Sequence, residues 1–160
     1  MDTVGPARVA SVGGKWYVLV VVDDFSRFSW VFFMESKDEA FGFVRDLVPR
    51  LRNESHKAMR AIRGDNGGEF ETLAPVFFSI YPTANGVVEC KNRTLVEMSR
   101  TMLDEHRTPR RFWAEGVNTA CYIANRIFLR AFLGKTSFEL RFGRQPGVKH
   151  LRAFGCGCFV

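Results

Sequence analysis

The chain has 160 residues, 46% of them hydrophobic and 14% aromatic, enough apolar side chain for one compact core. Its longest apolar run, Trp16 to Val22, falls far short of the roughly 20 residues a membrane-spanning helix needs, and no charged-then-apolar segment opens the chain as a signal peptide would; the expectation is an intracellular protein, nuclear or cytoplasmic, with no membrane partner. The net charge of +6 is uneven: residues 1–90 carry 10 Lys/Arg against 12 Asp/Glu and residues 91–160 carry 13 against 5, so a basic second half follows a mildly acidic first one, which suits either a polyanionic partner or a solvated basic surface.

Along the chain, Asp2 to Val9 reads as the first strand of a meander, interrupted by Gly5-Pro6. Ser11 to Gly14 then makes a turn. Lys15 to Val22, rich in Val, Tyr and Trp and weakly alternating, has the composition of a strand buried on both faces. Asp23-Asp24-Phe25-Ser26-Arg27 reads as the turn to a second apolar run, Phe28 to Met34, which should pair antiparallel with the first. Ser36, with Glu39 three residues on, is a capping-box signature for a helix, and Ala40, Phe43, Val44, Leu47 and Leu51 recur at helical spacing; Pro49 should kink that helix or end it early. A short strand is expected over Ala58 to Arg63. From Asn85, the positions Val88, Leu95, Val96, Met98, Met102 and Leu103 mark an amphipathic helix of about 20 residues closing near Thr108-Pro109, and Phe112 to Ile127 carries a further helical pattern. Gly143 to Gly147 is the one plausible boundary, separating a unit over residues 1–145 from a segment, 146–160, in which Leu151 to Val160 begins another strand.

The four cysteines, Cys90, Cys121, Cys156 and Cys158, are too few and too clustered for a secreted disulfide scaffold, so reduced thiols are expected. Cys156-Gly157-Cys158 lacks zinc-finger spacing from His56, His106 or His150 and reads as small residues on a buried strand.

Three carboxylates stand at places that a fold can bring together: Asp2 on a strand, Asp65 just after another, and Glu89 near the start of a helix. Such a set offers the hard anionic oxygens that Mg2+ prefers, leaving its remaining positions to water and phosphate, and two ions so held can serve an in-line displacement at phosphorus. Taken singly, each residue has an ordinary explanation. Asp2 is near a terminus, Asp65-Asn66-Gly67-Gly68 is a good turn, and Glu89 is favoured by the helix dipole. Asp23-Asp24 belongs to the hairpin turn rather than to this set.

Across nearly its whole length the chain resembles the integrase core of Copia-type long-terminal-repeat retrotransposons. The resemblance is carried by Met1 to Pro6, Tyr17 to Arg27, Arg63-Gly64-Asp65-Asn66-Gly67-Gly68-Glu69-Phe70, Asn85-Gly86-Val87-Val88-Glu89, Lys91-Asn92-Arg93-Thr94-Leu95, Phe112-Trp113-Ala114-Glu115 and Leu151 to Cys156. It implies an α/β, ribonuclease H-like fold, a mixed five-stranded sheet flanked by helices. It further implies a D, D, E triad of Asp2, Asp65 and Glu89 holding Mg2+ or Mn2+, and two reactions at one site: 3′-end processing of the element's DNA and strand transfer to target DNA. DNA is then the partner, and a homo-oligomer working on two DNA ends is expected. One turn of helix should set Asn92 and Arg93 on the same side as Glu89, with Lys91 close by, to hold the nucleic-acid backbone; Arg100, Arg107, Arg110 and Arg111 extend the basic surface.

The sequence also departs from that pattern. Only 23 residues separate Asp65 from Glu89, about a dozen fewer than the family carries, a gap that an extended chain at about 3.3 Å per residue still spans. The fifth-strand region is therefore expected to be shortened or missing. Asp2 stands almost first, where a fraying end should fix its carboxylate poorly, Cys90 replaces a common Arg, and the end-recognition module that precedes such cores is not seen. These features predict a shortened fragment, either still a polynucleotidyl transferase, or a catalytically dead remnant retaining only nucleic-acid binding, or a relic with no role.

Overall fold

The computed structural model describes residues 1–55, 61–64, 80–82 and 86–157. Asp65, the first half of the strand expected over Ala58 to Arg63, and Cys158 lie outside them.

The central strand is β2 (Tyr17–Val22), pairing antiparallel on one side with β1 (Asp2–Val4) and on the other with β3 (Ser29–Met34). Side chains alternate across a strand, and β2 shows what that does here. Leu19 faces one layer, packing with Met1, Met34, Ala40, Val44 and Val48, while Val18 and Val20 face the other, packing with Val88, Leu95, Val117, Ala120, Cys121 and Ala124. The sheet therefore lies between α1 (Ala40–Ser55) on one face and α2 (Gly86–Glu105) with α3 (Trp113–Ile127) on the other. Leu19 and Leu95 are fully enclosed, each worth about 1.5–3 kcal/mol of burial.

Two further strands, β4 (Ile62–Gly64) and β5 (Ile80–Pro82), pair parallel to one another. Among the described residues no ladder joins them to the larger sheet, but the Met1 amino group donates to the Arg63 carbonyl at 2.7 Å, and Ile62 packs against the cluster that holds Met1. β4 thus runs beside the start of β1. Among the described residues the strands thus form a three-stranded antiparallel sheet and a separate two-stranded parallel one, where one mixed five-stranded sheet was expected.

Several expectations need correction. β1 stops at Val4, because Gly5 (φ 139) turns the chain so tightly that a Cβ there would lie 2.8 Å from the Trp16 carbonyl oxygen. The residues after Ser36 form a 3-10 turn, Lys37–Glu39, whose Glu39 carboxylate accepts from the Glu35 and Ser36 amides, before α1 proper begins. Pro49 neither ends nor shortens α1, which runs on to Ser55. Pro49 is exposed, so the carbonyl it leaves without a partner can turn to water, while the buried neighbours Leu47 and Val48 hold the helix against the sheet.

α2 and α3 approach closely where Gly116 meets Ser99: a Cβ on Gly116 would fall 2.4 Å from the serine Oγ. At the far edge, Asn125 of α3 grips β3 through its backbone. Its Oδ1 accepts from the Ser29 amide at 2.9 Å and its Nδ2 donates to the Ser29 carbonyl at 2.8 Å, which satisfies the strand's exposed edge as a neighbouring strand would. A short α4 (Ser137–Phe142) follows, capped by Thr136 and Glu139 and closed by Gly143 at φ 68. Beyond it, residues 151–157 form turns rather than a strand, with Leu151 and Cys156 amides bonded to Val148 and Ala153 carbonyls and Gly155 at φ 80. Cys156 is exposed, so it is not a small residue on a buried strand. Among the described residues no helix is long and apolar enough to cross a membrane.

Candidate functional site

Met1 is buried at 5% exposure on the α1 side of the sheet. The next side chain therefore turns to the opposite face. There Asp2 is half-buried, and Val4, two residues on, packs with the α2–α3 cluster. The carboxylate that should have hung from a loose end is held on both sides: its backbone is registered against Val20 of β2, and the residue before it is both enclosed and bonded to β4.

α2 buries the stripe Val88, Asn92, Leu95, Ser99 and Leu103, the spacing of three and four that one helix face requires. Asn92 is the amide in an otherwise apolar or small stripe, 5% exposed, and its Nδ2 donates to Asp2 Oδ2 at 2.6 Å. An ionised carboxylate only accepts, so the contact also fixes which way the amide faces. The Asn92 Oδ1 is left buried without a hydrogen-bond partner.

Glu89 lies three residues before Asn92 in the first turn of α2 and is exposed; there the positive end of the helix dipole favours its charge. Arg93, four residues after Glu89, is exposed and enters no ion pair among the described residues. Helical spacing puts Glu89, Asn92 and Arg93 along one side, and Asn92 is the pin that docks that side onto Asp2. The third member of the expected triad, Asp65, follows directly after Gly64, the last residue of β4, and falls outside the described residues. Among those residues no three His, Cys, Asp or Glu side chains gather round a common point. Chemically the pair present fits a divalent ion: two carboxylates offer hard oxygen donors, with one Asp2 oxygen already held by an amide that does not compete for the cation.

Lys91 goes elsewhere. Two residues from Glu89, it lies about 200° around the helix axis, and it lines a pocket with Arg130. Burial pushes its ammonium below the ordinary lysine range, opposed by the Cys121 sulfur and reinforced by Arg130. It is not beside Glu89 as expected.

The Asp23-Asp24 pair is structural. Asp23 Oδ2 accepts from the Ser26 amide and hydroxyl at 2.8 and 2.6 Å, closing the hairpin turn, and Asp24 pairs with Arg27 at 3.1 Å and Arg63 at 3.7 Å. Arg110 is engaged by Asp104 at 2.9 Å. Asn125 and the Thr136–Glu139 cap escaped the sequence reading. Thr136-Ser137-Phe138-Glu139 carries the capping-box signal that could have found α4, whereas nothing in the sequence marks Asn125 as the partner of β3.

No family model matches the chain. It is 32% identical over 174 aligned positions to the retrovirus-related Pol polyprotein from transposon TNT 1-94 of Nicotiana tabacum, covering 99% of this chain and 13% of that protein. It is 28% identical to the corresponding polyprotein from transposon RE2 of Arabidopsis thaliana, covering 94% and 11%. The chain thus spans roughly a tenth of the length of these relatives. An alignment of 174 positions is longer than the chain itself, so the tobacco protein has residues there that this chain lacks. Among solved structures, the catalytic core domain of HTLV-2 integrase in complex with magnesium superposes with a TM-score of 0.60 at 18% identity, covering 88% of this chain and 95% of that one. The simian T-cell lymphotropic virus intasome, in complex with a PP2A regulatory subunit, superposes with a TM-score of 0.63 at 18% identity, covering 94% and 58%.

Proposed function

We propose that this chain, whose homologues are Copia-type retrovirus-related Pol polyproteins of plant transposons and whose ribonuclease H-like fold is that of retroviral integrase cores, acts in DNA integration as a polynucleotidyl transferase. Residues 1–145 are the catalytic unit and 146–160 begin the segment that follows it. The observation that carries this reading is the 2.6 Å bond from Asn92 to Asp2, because it joins the helix turn bearing Glu89 to the strand bearing Asp2 and leaves both carboxylates on one side of the sheet.

Asp2, Glu89 and Asp65 would hold Mg2+ or Mn2+, with Asp65 assigned from its motif. When bound, the ions supply activation of the attacking oxygen and stabilisation of the leaving oxygen. Each remaining task falls to the chain. Asn92 keeps one Asp2 oxygen fixed, so that the strand carboxylate presents a constant geometry. Arg93 meets the phosphate backbone from the exposed side of α2, and the basic second half of the chain adds sequence-independent attraction to DNA. The substrates on this reading are the element's DNA ends, trimmed by water, and target DNA, attacked by the new 3′ hydroxyl. A homo-oligomer brings two ends together, in keeping with relatives solved as dimeric and trimeric forms.

Purified chain incubated with end-matched DNA and Mn2+ should nick the ends and join them to a target, and Glu89→Gln should abolish both steps while leaving the thermal midpoint unchanged. Folded protein that retains DNA in a salt-sensitive manner but neither nicks nor joins it would establish the dead, nucleic-acid-binding remnant instead.

A further inference from the structure

We propose that the pocket enclosed by the start of α2, the β2–β3 turn and the loop after α3 binds one nucleotide unit, with its phosphate held by Lys91 and Arg130 and its base laid against Phe128. The pocket has a volume of about 460 Å3, within the usual range for small-ligand sites. Val22 and Ala124 line its apolar part, and Phe128, just past the end of α3, stands 45% exposed at its wall.

Three cations line it, and they are not equivalent. Arg27 is paired with Asp24 at 3.1 Å. Lys91 and Arg130 form no ion pair with any described residue, and the Arg130 Nε is buried with no hydrogen-bond partner. Two like charges thus share a partly enclosed space, and the sulfur near Lys91 is no counter-charge: burial pushes the Cys121 thiol up to about 11, so it stays neutral. Both residues are half-buried, and a cation drawn partly out of water is favoured by a paired anion. An anion entering here satisfies the open Arg130 donor and relieves the repulsion between the two side chains.

An anion flanked by an exposed aromatic face is the signature of a nucleotide, whose base stacks while its phosphate takes the cations; an acidic peptide would use the charges and leave Phe128 idle. Lys91 points to a different face of α2 from Glu89, Asn92 and Arg93, and the site needs no metal and does not rest on the activity proposed above.

The test is carried out on the intact chain in EDTA. Lys91 is acylated with a small water-soluble acetylating ester and followed by mass spectrometry, with dTMP, thymidine, inorganic phosphate, a dT12 oligonucleotide or poly-glutamate as competitor. dTMP should slow acylation of Lys91 about fivefold or more and leave exposed Lys149 unchanged, with thymidine and inorganic phosphate weaker. Protection extending to dT12 identifies a nucleotide within a strand, and protection by dTMP alone a free nucleotide. Arg130→Gln should remove the protection by dTMP and by phosphate, whereas Phe128→Ala should weaken only that by dTMP. Equal protection by phosphate and dTMP, protection by poly-glutamate alone, or none at all overturns the assignment. Phe128→Ala supplies the second test where Arg130→Gln fails to fold, since Phe128 lies at the rim.

Discussion

Replacing Asn92 tests whether α2 is docked on β1 through a charge-assisted hydrogen bond. In Asn92→Ala the Asp2 carboxylate loses a donor at 2.6 Å in a half-buried setting. Hydrogen bonds to charged groups contribute about 1.5–3 kcal/mol. At about 2–4 °C per kcal/mol for a chain of this size, the midpoint should fall by roughly 3–12 °C, with little dependence on pH near neutrality. Asn92→Asp does more, because it sets two carboxylates against each other. Two unit charges about 4 Å apart near a protein surface repel by about 4 kcal/mol, added to the lost bond. The new carboxyl is then easier to protonate in the folded chain than in the unfolded one, so its folded pKa lies above its unfolded value. The extra penalty is full at neutral pH and shrinks as the pH falls through the folded pKa, vanishing below the unfolded one. Thermal unfolding of both variants at pH 7 and pH 4.5 reads this directly. Swapping the partners, Asp2→Asn with Asn92→Asp, should recover stability, since the amide then donates from the strand to the helix, and the coupling in this double-mutant cycle should exceed about 1 kcal/mol. Equal losses for Ala and Asp at both pH values, or a swap that recovers nothing, would refute the contact as the link between the two elements.

Other consequences follow from the packing around it. Gly116→Ala places a Cβ 2.4 Å from Ser99 Oγ and should cost about 1–3 kcal/mol in chemical denaturation; adding Ser99→Ala removes that oxygen and should restore part of the loss. Asn125→Ala leaves the Ser29 amide without its side-chain acceptor and the Ser29 carbonyl with only the weak Cys121 thiol donor at 3.3 Å, a cost of about 1–3 kcal/mol for the amide left buried, and should accelerate hydrogen exchange at Ser29 more than at Leu19. Cys121 is buried with its thiol held near 11, so it should resist maleimide at pH 7.5 while exposed Cys90 and Cys156 react. Because that folded pKa is raised, the stability linked to the neutral thiol is complete below about pH 9 and is lost as the pH rises toward 11; Cys121→Ala should flatten this alkaline decline.

Periodicity located what packs, and packing decided the rest. The alternation of β2 and the stripe of α2 were legible because burial on one face leaves a repeat in the sequence, period two or 3.6, that survives without any knowledge of partners. Pro49 misled because a proline disrupts a helix by an amount that depends on which face it occupies, and the exposed face is set by tertiary contact. Leu151 to Val160 misled because apolar composition alone does not separate a strand from turns. The helical spacing of Glu89, Asn92 and Arg93 was readable, but not the depth of each: Asn92 was expected to meet DNA and instead is enclosed against Asp2. Lys91, adjacent in sequence, lies across the helix, since neighbours in a helix are about 100° apart.

Asp2 and Glu89, the two members of the expected triad among the described residues, depend on different supports. Asp2 is fixed by the β1–β2 register, by Met1 in the core beneath α1, and by the amino group on β4. Glu89 rides on a helix whose buried stripe meets Val18 and Val20 of β2 and the facing residues of α3. Both sets of contacts run through the β1–β2–β3 sheet and the helices packed on it. Asn92 then links the two supports directly. The anchoring of Asp2 and of the turn bearing Glu89 is thus a property of the sheet and its helix layer, and β4, which runs beside the start of β1, ends at Gly64, the residue before Asp65 in sequence.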